Sequence, residues 1–275
     1  MEYVEVQGAS IPKIGLGTWR LEGEKCREIV EMALAIGYRH FDTAQAYGNE
    51  AKVGAGLLAG IGQMGIERDE LWVTTKLAMD NLTRDRVHKS THESLKHLGL
   101  ETIDLLLIHW PSERVPLRET LSAMMELVDE GLVRYVGVSN FPPGLFAEAL
   151  SMAPIVANQV EYHPFLSQDR LSTMCEHEDV CLIAYTPLAS GRVARDGTLR
   201  RIGERYGKSA TQVALRWLTQ QRNVAAIPKA SSEEHLRANL DVFDFELSAD
   251  DARAVESLAR GERLIDPEWA PDWGR

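Results

Sequence analysis

Three observations in the 275-residue chain predict an α/β protein of the (β/α)8 TIM-barrel class. Short apolar runs alternate with longer amphipathic stretches from Lys13 to Leu240, there are eight of each, and the runs end on polar residues. Such alternation forces parallel strands, because each helix returns the chain to begin the next strand in the same direction. Eight such units close a barrel, which routinely occupies about 250 residues as one domain. A single domain over residues 1–275 is therefore expected.

In chain order, strands are expected near Ile14–Gly17, His40–Asp42, Leu71–Lys76, Ile103–His109, Val133–Ser139, Val156–Val160, Cys181–Thr186 and Val224–Pro228. The intervening helices fall near Glu24–Ile36, Asn49–Leu58, Arg84–Leu98, Leu117–Glu130, Pro143–Leu150, Asp169–Glu178, Ser209–Gln221 and Ser232–Asn239. Ahead of them, Val4–Val6 pairs with Ile11–Lys13 as an N-terminal β-hairpin that plugs the bottom of the barrel. After them, Ala249–Leu258 reads as an extra C-terminal helix, followed by a loop from Glu262 to Arg275 that carries Trp269 and Trp273. The stretch Gly191–Gly207 is long enough to be a mobile flap.

Composition narrows the function. With 44% hydrophobic and 26% charged residues the chain has the balance of a soluble globular protein. Its 41 acidic against 30 basic residues, a net charge of −11, would repel a nucleic-acid backbone, so no nucleic-acid partner is expected. No apolar run approaches the roughly 20 residues that span a bilayer. The start Met1-Glu2-Tyr3-Val4-Glu5 lacks a basic flank and an apolar signal core, so no membrane partner and a cytoplasmic location are expected. Cys26, Cys175 and Cys181 form no CxxC pair and read as small core residues, with neither a disulfide framework nor a cysteine-built metal site.

In a barrel of this kind the active site lies at the C-terminal ends of the strands. Those ends are Asp42, Lys76, His109, Ser139-Asn140, Gln159, Tyr185-Thr186 and Lys229. Singly each has a bland reading: Asp42 as a helix cap, Lys76 as a solvated loop lysine, His109 as a satisfied buried histidine. Together they spend polar groups where apolar ones would stabilise more, which points to a site.

The same residues carry a family resemblance. Gly37-Tyr38-Arg39-His40-Phe41-Asp42-Thr43-Ala44, followed by Tyr47, Glu50 and Gly54, resembles the aldo-keto reductase signature. The likeness continues through Gly17-Thr18-Trp19, Thr75-Lys76, Ile108-His109-Trp110-Pro111, Gly137-Val138-Ser139-Asn140-Phe141, Asn158-Gln159, Tyr185-Thr186-Pro187-Leu188 and Ile227-Pro228-Lys229. It implies a metal-free, monomeric, NAD(P)H-dependent enzyme that reduces aldehydes and ketones. It also implies a catalytic tetrad of Asp42, Tyr47, Lys76 and His109. Carbonyl reduction needs a proton as well as a hydride, and a phenol with a pKa of about 10 is a poor acid at neutral pH. An ammonium about 4 Å away is worth roughly 4 kcal/mol, enough to bring a tyrosine near neutrality, so Lys76 is expected to acidify Tyr47. Asp42 would keep Lys76 charged and aimed, and His109 would orient the carbonyl oxygen.

For the cofactor, the resemblance implies Ser139, Asn140 and Gln159 on the nicotinamide carboxamide and Tyr185 stacked on the ring, with Thr18 and Thr186 also in the binding set. No GxGxxG receives the pyrophosphate; Leu188, Ser190 and the Gly191–Gly207 loop would close over it instead. Lys229, Ser231 and Ser232 would hold a 2′-phosphate, with His235 and Asn239 on the following helix. Here the chain departs from the family pattern, which has serine at the place of Ala230 and arginine at that of His235. A mostly neutral histidine grips phosphate less well than a guanidinium, so NADP(H) is expected with a weakened preference over NAD(H).

Trp19, Trp110 and His109 are expected to contact substrate, with Trp269 or Trp273 completing an aromatic cup and the small Ala78 leaving room beside it. The chain's ending, from Glu262-Arg263-Leu264-Ile265 to Trp273, resembles smaller prokaryotic 2,5-diketo-D-gluconate reductases and methylglyoxal reductases. The expected partner is a small-molecule carbonyl: an aldehyde, an α-dicarbonyl or a keto-sugar. Two other readings remain open, a non-catalytic NAD(P)H-binding regulatory subunit and a barrel enzyme acting on phosphorylated substrates.

Overall fold

Strand-forming and turn-forming residues meet first at the N-terminus, where β1 (Tyr3–Val6) and β2 (Ala9–Pro12) pair antiparallel with Val4 opposite Ile11. Gln7 and Gly8 join them with φ of 46° and 81°, the left-handed pair that a two-residue hairpin turn requires. The computed structural model describes residues 1–274 of the chain. Among these, β3 (Leu16–Gly17), β4 (His40–Asp42), β5 (Trp72–Leu77), β6 (Ile103–Ile108), β7 (Val133–Ser139), β8 (Ile155–Glu161), β9 (Cys181–Tyr185) and β10 (Val224–Ala226) form one parallel sheet in sequence order. The sheet closes on itself just ahead of β3. Ile14 bridges Ala226, the Gly15 N–H donates to the Ala226 carbonyl at 2.9 Å, and the Ala226 N–H donates to the Lys13 carbonyl at 2.8 Å. This is the expected (β/α)8 barrel.

Period-two alternation sorts the strand residues between two cores. Trp72, Leu105, Leu107, Ile183 and Ala225 point into the barrel and cluster with Val4, Val6 and Ile11, so the hairpin plugs the bottom as expected. Phe41, Val73, Leu106 and Val138 point outward into the larger cluster under the helices. Each leucine or phenylalanine fully buried in this way contributes roughly 1.5–3 kcal/mol relative to exposure.

The helices are α1 (Gly23–Ile36), α2 (Glu50–Met64), α3 (Arg84–Leu98), α4 (Leu117–Asp129), α5 (Pro143–Leu150), α6 (Asp169–His177), α7 (Gly197–Tyr206), α8 (Ala210–Thr219), α9 (Glu233–Leu240) and α10 (Ala249–Glu256). Part of the signature motif shapes this scaffold. Gly37 ends α1 with φ 115°, a conformation that penalises any side chain. A Cβ on Gly54 would lie 2.3 Å from the Leu98 carbonyl oxygen, so only glycine lets α2 pack this closely on the end of α3.

Two expectations need correction. α2 runs on to Met64 rather than ending at Leu58. The segment Gly191–Gly207 is not a flap: it contains α7, whose N-terminus is capped by Asp196 accepting from the Thr198 and Leu199 N–H groups at 2.9 Å each. Gly207 ends that helix with φ 66°. No helix among the described residues is long and apolar enough to cross a membrane.

Candidate active site

Inward-facing residues at the C-terminal strand ends have no plug above them, and they line a cavity of about 860 Å³. At its floor Asp42 ends β4 and Lys76 lies near the end of β5, one strand over. Lys76 is fully buried and spends all three ammonium hydrogens: on Asp42 Oδ1 at 2.5 Å, on the Thr43 carbonyl at 2.8 Å and on the Tyr47 hydroxyl at 3.3 Å. Asp42 Oδ2 accepts from Gln159 Nε2 at 2.7 Å, so both carboxylate oxygens are engaged. The ammonium has no lone pair, so Tyr47 accepts in that third bond. Its own proton is left to point elsewhere, and the cavity is where its side chain opens.

Tyr47 sits in a 3-10 turn over Gln45–Tyr47 that Gly48 ends with φ 64°. Gln45 staples this turn to the loop after β5, accepting from the Ala78 N–H and from Asn81 Nδ2, both at 2.9 Å. Behind it Asn49 accepts from the Thr43 hydroxyl at 2.7 Å and donates to the Thr18 and Leu21 carbonyls. The phenol is thus fixed against Lys76 by polar bonds on both sides. His109, directly after β6, meets the Tyr47 ring edge-on with centroids 5.6 Å apart. Its imidazole makes no hydrogen bond among the described residues and lines the cavity.

The electrostatics correct one expectation. Burial pushes the Tyr47 phenol above its ordinary pKa; Lys76 pulls it back and Asp42 raises it again, so the balance is upward rather than toward neutrality. Burial lowers the Lys76 ammonium, but Asp42 and Tyr47 more than restore it, and it stays charged. Burial, with the Lys76 charge, pulls His109 down to about 3, so its imidazole is neutral at physiological pH.

Of the residues expected to bind a cofactor, Ser139, Asn140, Gln159, Tyr185, Thr186, Leu188, Ser190 and Lys229 line the cavity. They are tied together. Ser139 Oγ donates to the Gln159 carbonyl at 2.8 Å, Asn140 Nδ2 to the His109 carbonyl at 2.9 Å, and the Tyr185 hydroxyl to Asn140 Oδ1 at 2.7 Å. The Gln159 side-chain amide spends its nitrogen on Asp42, and its oxygen accepts no hydrogen bond among the described residues. The other expected contacts do not line the cavity. Thr18 is fully buried with its hydroxyl on the Asp42 carbonyl at 2.9 Å, which makes it a support for Asp42. Asn239 is buried on α9, close to where the Tyr38 phenol donates to the Leu236 carbonyl at 3.0 Å. Ser232 caps α9 by accepting from the His235 N–H, and Ser231 and His235 are exposed near the start of that helix, just after Lys229.

Backbone strain concentrates here. Of the seven non-glycine residues with positive φ among those described, Arg20, Asn140, Thr186 and Ser190 line the cavity and Ala189 lies between two of its lining residues. Such conformations cost roughly 1–3 kcal/mol each and cluster at sites of function.

On the substrate side Trp19, Trp110 and Trp269 line the cavity. Trp273 instead stands behind Trp110, edge-on with centroids 6.3 Å apart. Ala78 is not among the lining residues. Sequence reading missed Arg20, whose guanidinium lies 4.2 Å over the Trp19 ring at the cavity wall; a cation directly after Gly17-Thr18-Trp19 was the available signal. It also missed Leu264, Ile265, Asp266 and Pro267, which form another wall. No group of three or more His, Cys, Asp or Glu side chains among the described residues is placed to hold a metal.

A barrel with this polar floor and strained rim defines an enzyme-like class of site, and comparison with known proteins specifies it. The chain belongs to the aldo/keto reductase family, whose model matches residues 13–260. It is 36% identical over 270 residues to methylglyoxal reductase DkgB of Escherichia coli O157:H7, covering 96% of this chain and 99% of that protein. A solved structure bearing the name 2,5-diketo-D-gluconic acid reductase B superposes with a TM-score of 0.96 at 42% identity, over 99% of this chain and 97% of that one. The aldose reductase of Schistosoma japonicum superposes with a TM-score of 0.91 at 32% identity, over 96% and 94%. Family membership makes the protein an oxidoreductase acting on small carbonyl compounds.

Proposed function

We propose that the chain uses NADPH, and NADH less well, to reduce small aldehydes, α-dicarbonyls such as methylglyoxal and keto-sugars such as 2,5-diketo-D-gluconate to alcohols. The observation that carries this reading is the bond order around Lys76: all three ammonium hydrogens are spent, and the Tyr47 proton is left free toward the cavity. The reduced nicotinamide, when bound, supplies the hydride. Tyr47 gives the proton to the oxygen on which negative charge develops, as general acid. Its upward-shifted pKa keeps the phenol protonated at neutral pH. Lys76, charged and fixed by Asp42, then stabilises the phenolate that remains. Neutral His109 presents its unengaged imidazole to the same carbonyl oxygen.

The residues present fit a dinucleotide. The cavity is larger than a three-carbon carbonyl requires and lies near the upper end of the range for small-molecule sites. Gln159 offers an acceptor and Tyr185 a ring face at its wall, and Lys229 brings a cation to the same space. We assign the carboxamide to Ser139, Asn140 and Gln159, the belt over the pyrophosphate to Leu188 and Ser190, and the 2′-phosphate to Lys229 with Ser231 and Ser232. Thr18 acts behind Asp42, and Asn239 stands on the helix that follows Ser231 and Ser232. The protein acts as one domain over residues 1–275 and as a cytoplasmic monomer.

The test is oxidation of NADPH and, separately, NADH on adding methylglyoxal and then a panel of aldehydes and keto-sugars. Stoichiometric alcohol supports the reading; tight cofactor binding without turnover on any carbonyl refutes it in favour of a regulatory subunit. The adenosine end gives a second expectation. His235→Arg raises the NADPH-over-NADH preference by at most the roughly 1.5–3 kcal/mol of one charge-assisted hydrogen bond, about 10- to 150-fold. An unchanged ratio of kcat/KM values means that residue 235 does not face the 2′-phosphate.

A further inference from the structure

Glu161 ends β8 with no exposed surface, a costly place for a carboxylate unless donors satisfy it. They do, and two come from the chain's far end: the Leu264 N–H donates to Oε1 at 2.8 Å and the Ile265 N–H to Oε2 at 2.9 Å. A third is buried beside it. The Phe165 N–H donates to His163 Nδ1 at 3.3 Å, which leaves the ring proton on Nε2 to donate to Glu161 Oε1 at 3.0 Å. The loop that follows adds to the grip, because the Phe165 carbonyl accepts from the Arg260 and Glu262 N–H groups at 3.2 and 3.0 Å. The Arg260 guanidinium lies 4.2 Å over the Phe165 ring.

Leu264 and Ile265, held by the carboxylate, line the cavity together with Asp266, Pro267 and Trp269. Glu161 itself does not line it. We propose that Glu161, braced by His163, is a positioning residue that sets the substrate wall: it clamps the C-terminal segment in the one place where Leu264, Ile265 and Trp269 can close on a bound carbonyl. The inference rests on the reductase reading above. It accounts for a carboxylate at a strand end where an apolar residue would pack at lower cost. It also separates the wall from the proton machinery, since Glu161 has no bond to Asp42, Tyr47, Lys76 or His109.

Glu161→Gln keeps the size but turns one acceptor into a donor that faces a backbone N–H. The expected result is a rise in carbonyl KM of about tenfold or more, with kcat and NADPH affinity changed little. Amide exchange at Leu264 and Ile265 should accelerate. Ile265→Pro removes one donor from the other side and, should Glu161→Gln not fold, stands in for it with the same KM rise expected. In the double variant the two effects should not add, because both break one clamp. An unchanged KM, a loss confined to kcat or cofactor binding, or additive effects would overturn the proposal. A wild-type protein inactive on every carbonyl would overturn the reductase reading instead, and unaltered exchange at Leu264 and Ile265 in Glu161→Gln would then overturn the clamp itself.

Discussion

Tyr47→Phe is expected to bind NADPH as wild type does and to lose carbonyl turnover by roughly 10²- to 10⁴-fold, the usual worth of a positioned general acid. The substitution removes one oxygen and leaves the ring in its edge-on contact with His109. It also relieves Lys76 of its longest bond, 3.3 Å, while the bonds to Asp42 and the Thr43 carbonyl persist. The floor should therefore stay folded, and the loss should fall on kcat rather than on cofactor affinity. Fluorescence quenching by NADPH and steady-state turnover, measured on one preparation, separate the two. Undiminished turnover would remove Tyr47 from the chemistry.

Lys76→Met is expected to damage both stability and activity. Lys76 and Asp42 are 0% and 1% exposed, so removal of the ammonium leaves a carboxylate in the barrel with Gln159 as its remaining side-chain donor. Breaking a buried pair from one side typically costs about 3–5 kcal/mol. Denaturant unfolding should show a loss of that order, and turnover should fall with the loss of the charge that stabilises the phenolate. Adding Asp42→Asn should recover part of the stability, because the stranded charge is gone, and none of the turnover. A single variant as stable as wild type would mean that Asp42 finds another cation or a proton.

The barrel is legible in the sequence because each of its elements satisfies a local rule. Ile103–Ile108 is six residues of apolar strand, and Leu117–Asp129 is an amphipathic helix set between turn signals. The floor of the site is legible for a related reason: Asp42, Lys76 and His109 interrupt apolar runs at the strand ends where barrels place function. α7 has an amphipathic face of Leu199, Ile202 and Gly203 like the helices that were expected, but it lies in a segment dense in glycine and arginine that reads as loop. Its signals are a cap at Asp196 and a stop at Gly207.

The acidity of Tyr47 escapes for a different reason. A pairwise estimate with Lys76 has no knowledge of burial, and burial is the larger effect. The wall from Leu264 to Trp269 is invisible because nothing local says that a terminal loop folds back about a hundred residues in sequence to meet Glu161. That pairing is made by long-range bonds, from two backbone N–H groups to the Glu161 carboxylate and from two more to the Phe165 carbonyl. Thr18 shows the converse, since a matched motif position does not say whether the side chain faces the ligand or, as here, supports a residue that lines the cavity.

In this cavity a hydride is expected to reach a carbonyl carbon while the protein supplies the proton. The most direct measurement is reduction of methylglyoxal by wild-type enzyme with NADPH carrying deuterium at the transferred position, with the product analysed by mass and NMR. One deuterium is expected on the carbinol carbon for each cofactor oxidised. Cofactor that binds and stays reduced beside every carbonyl offered, or an alcohol whose carbinol carbon carries hydrogen from water, would contradict it.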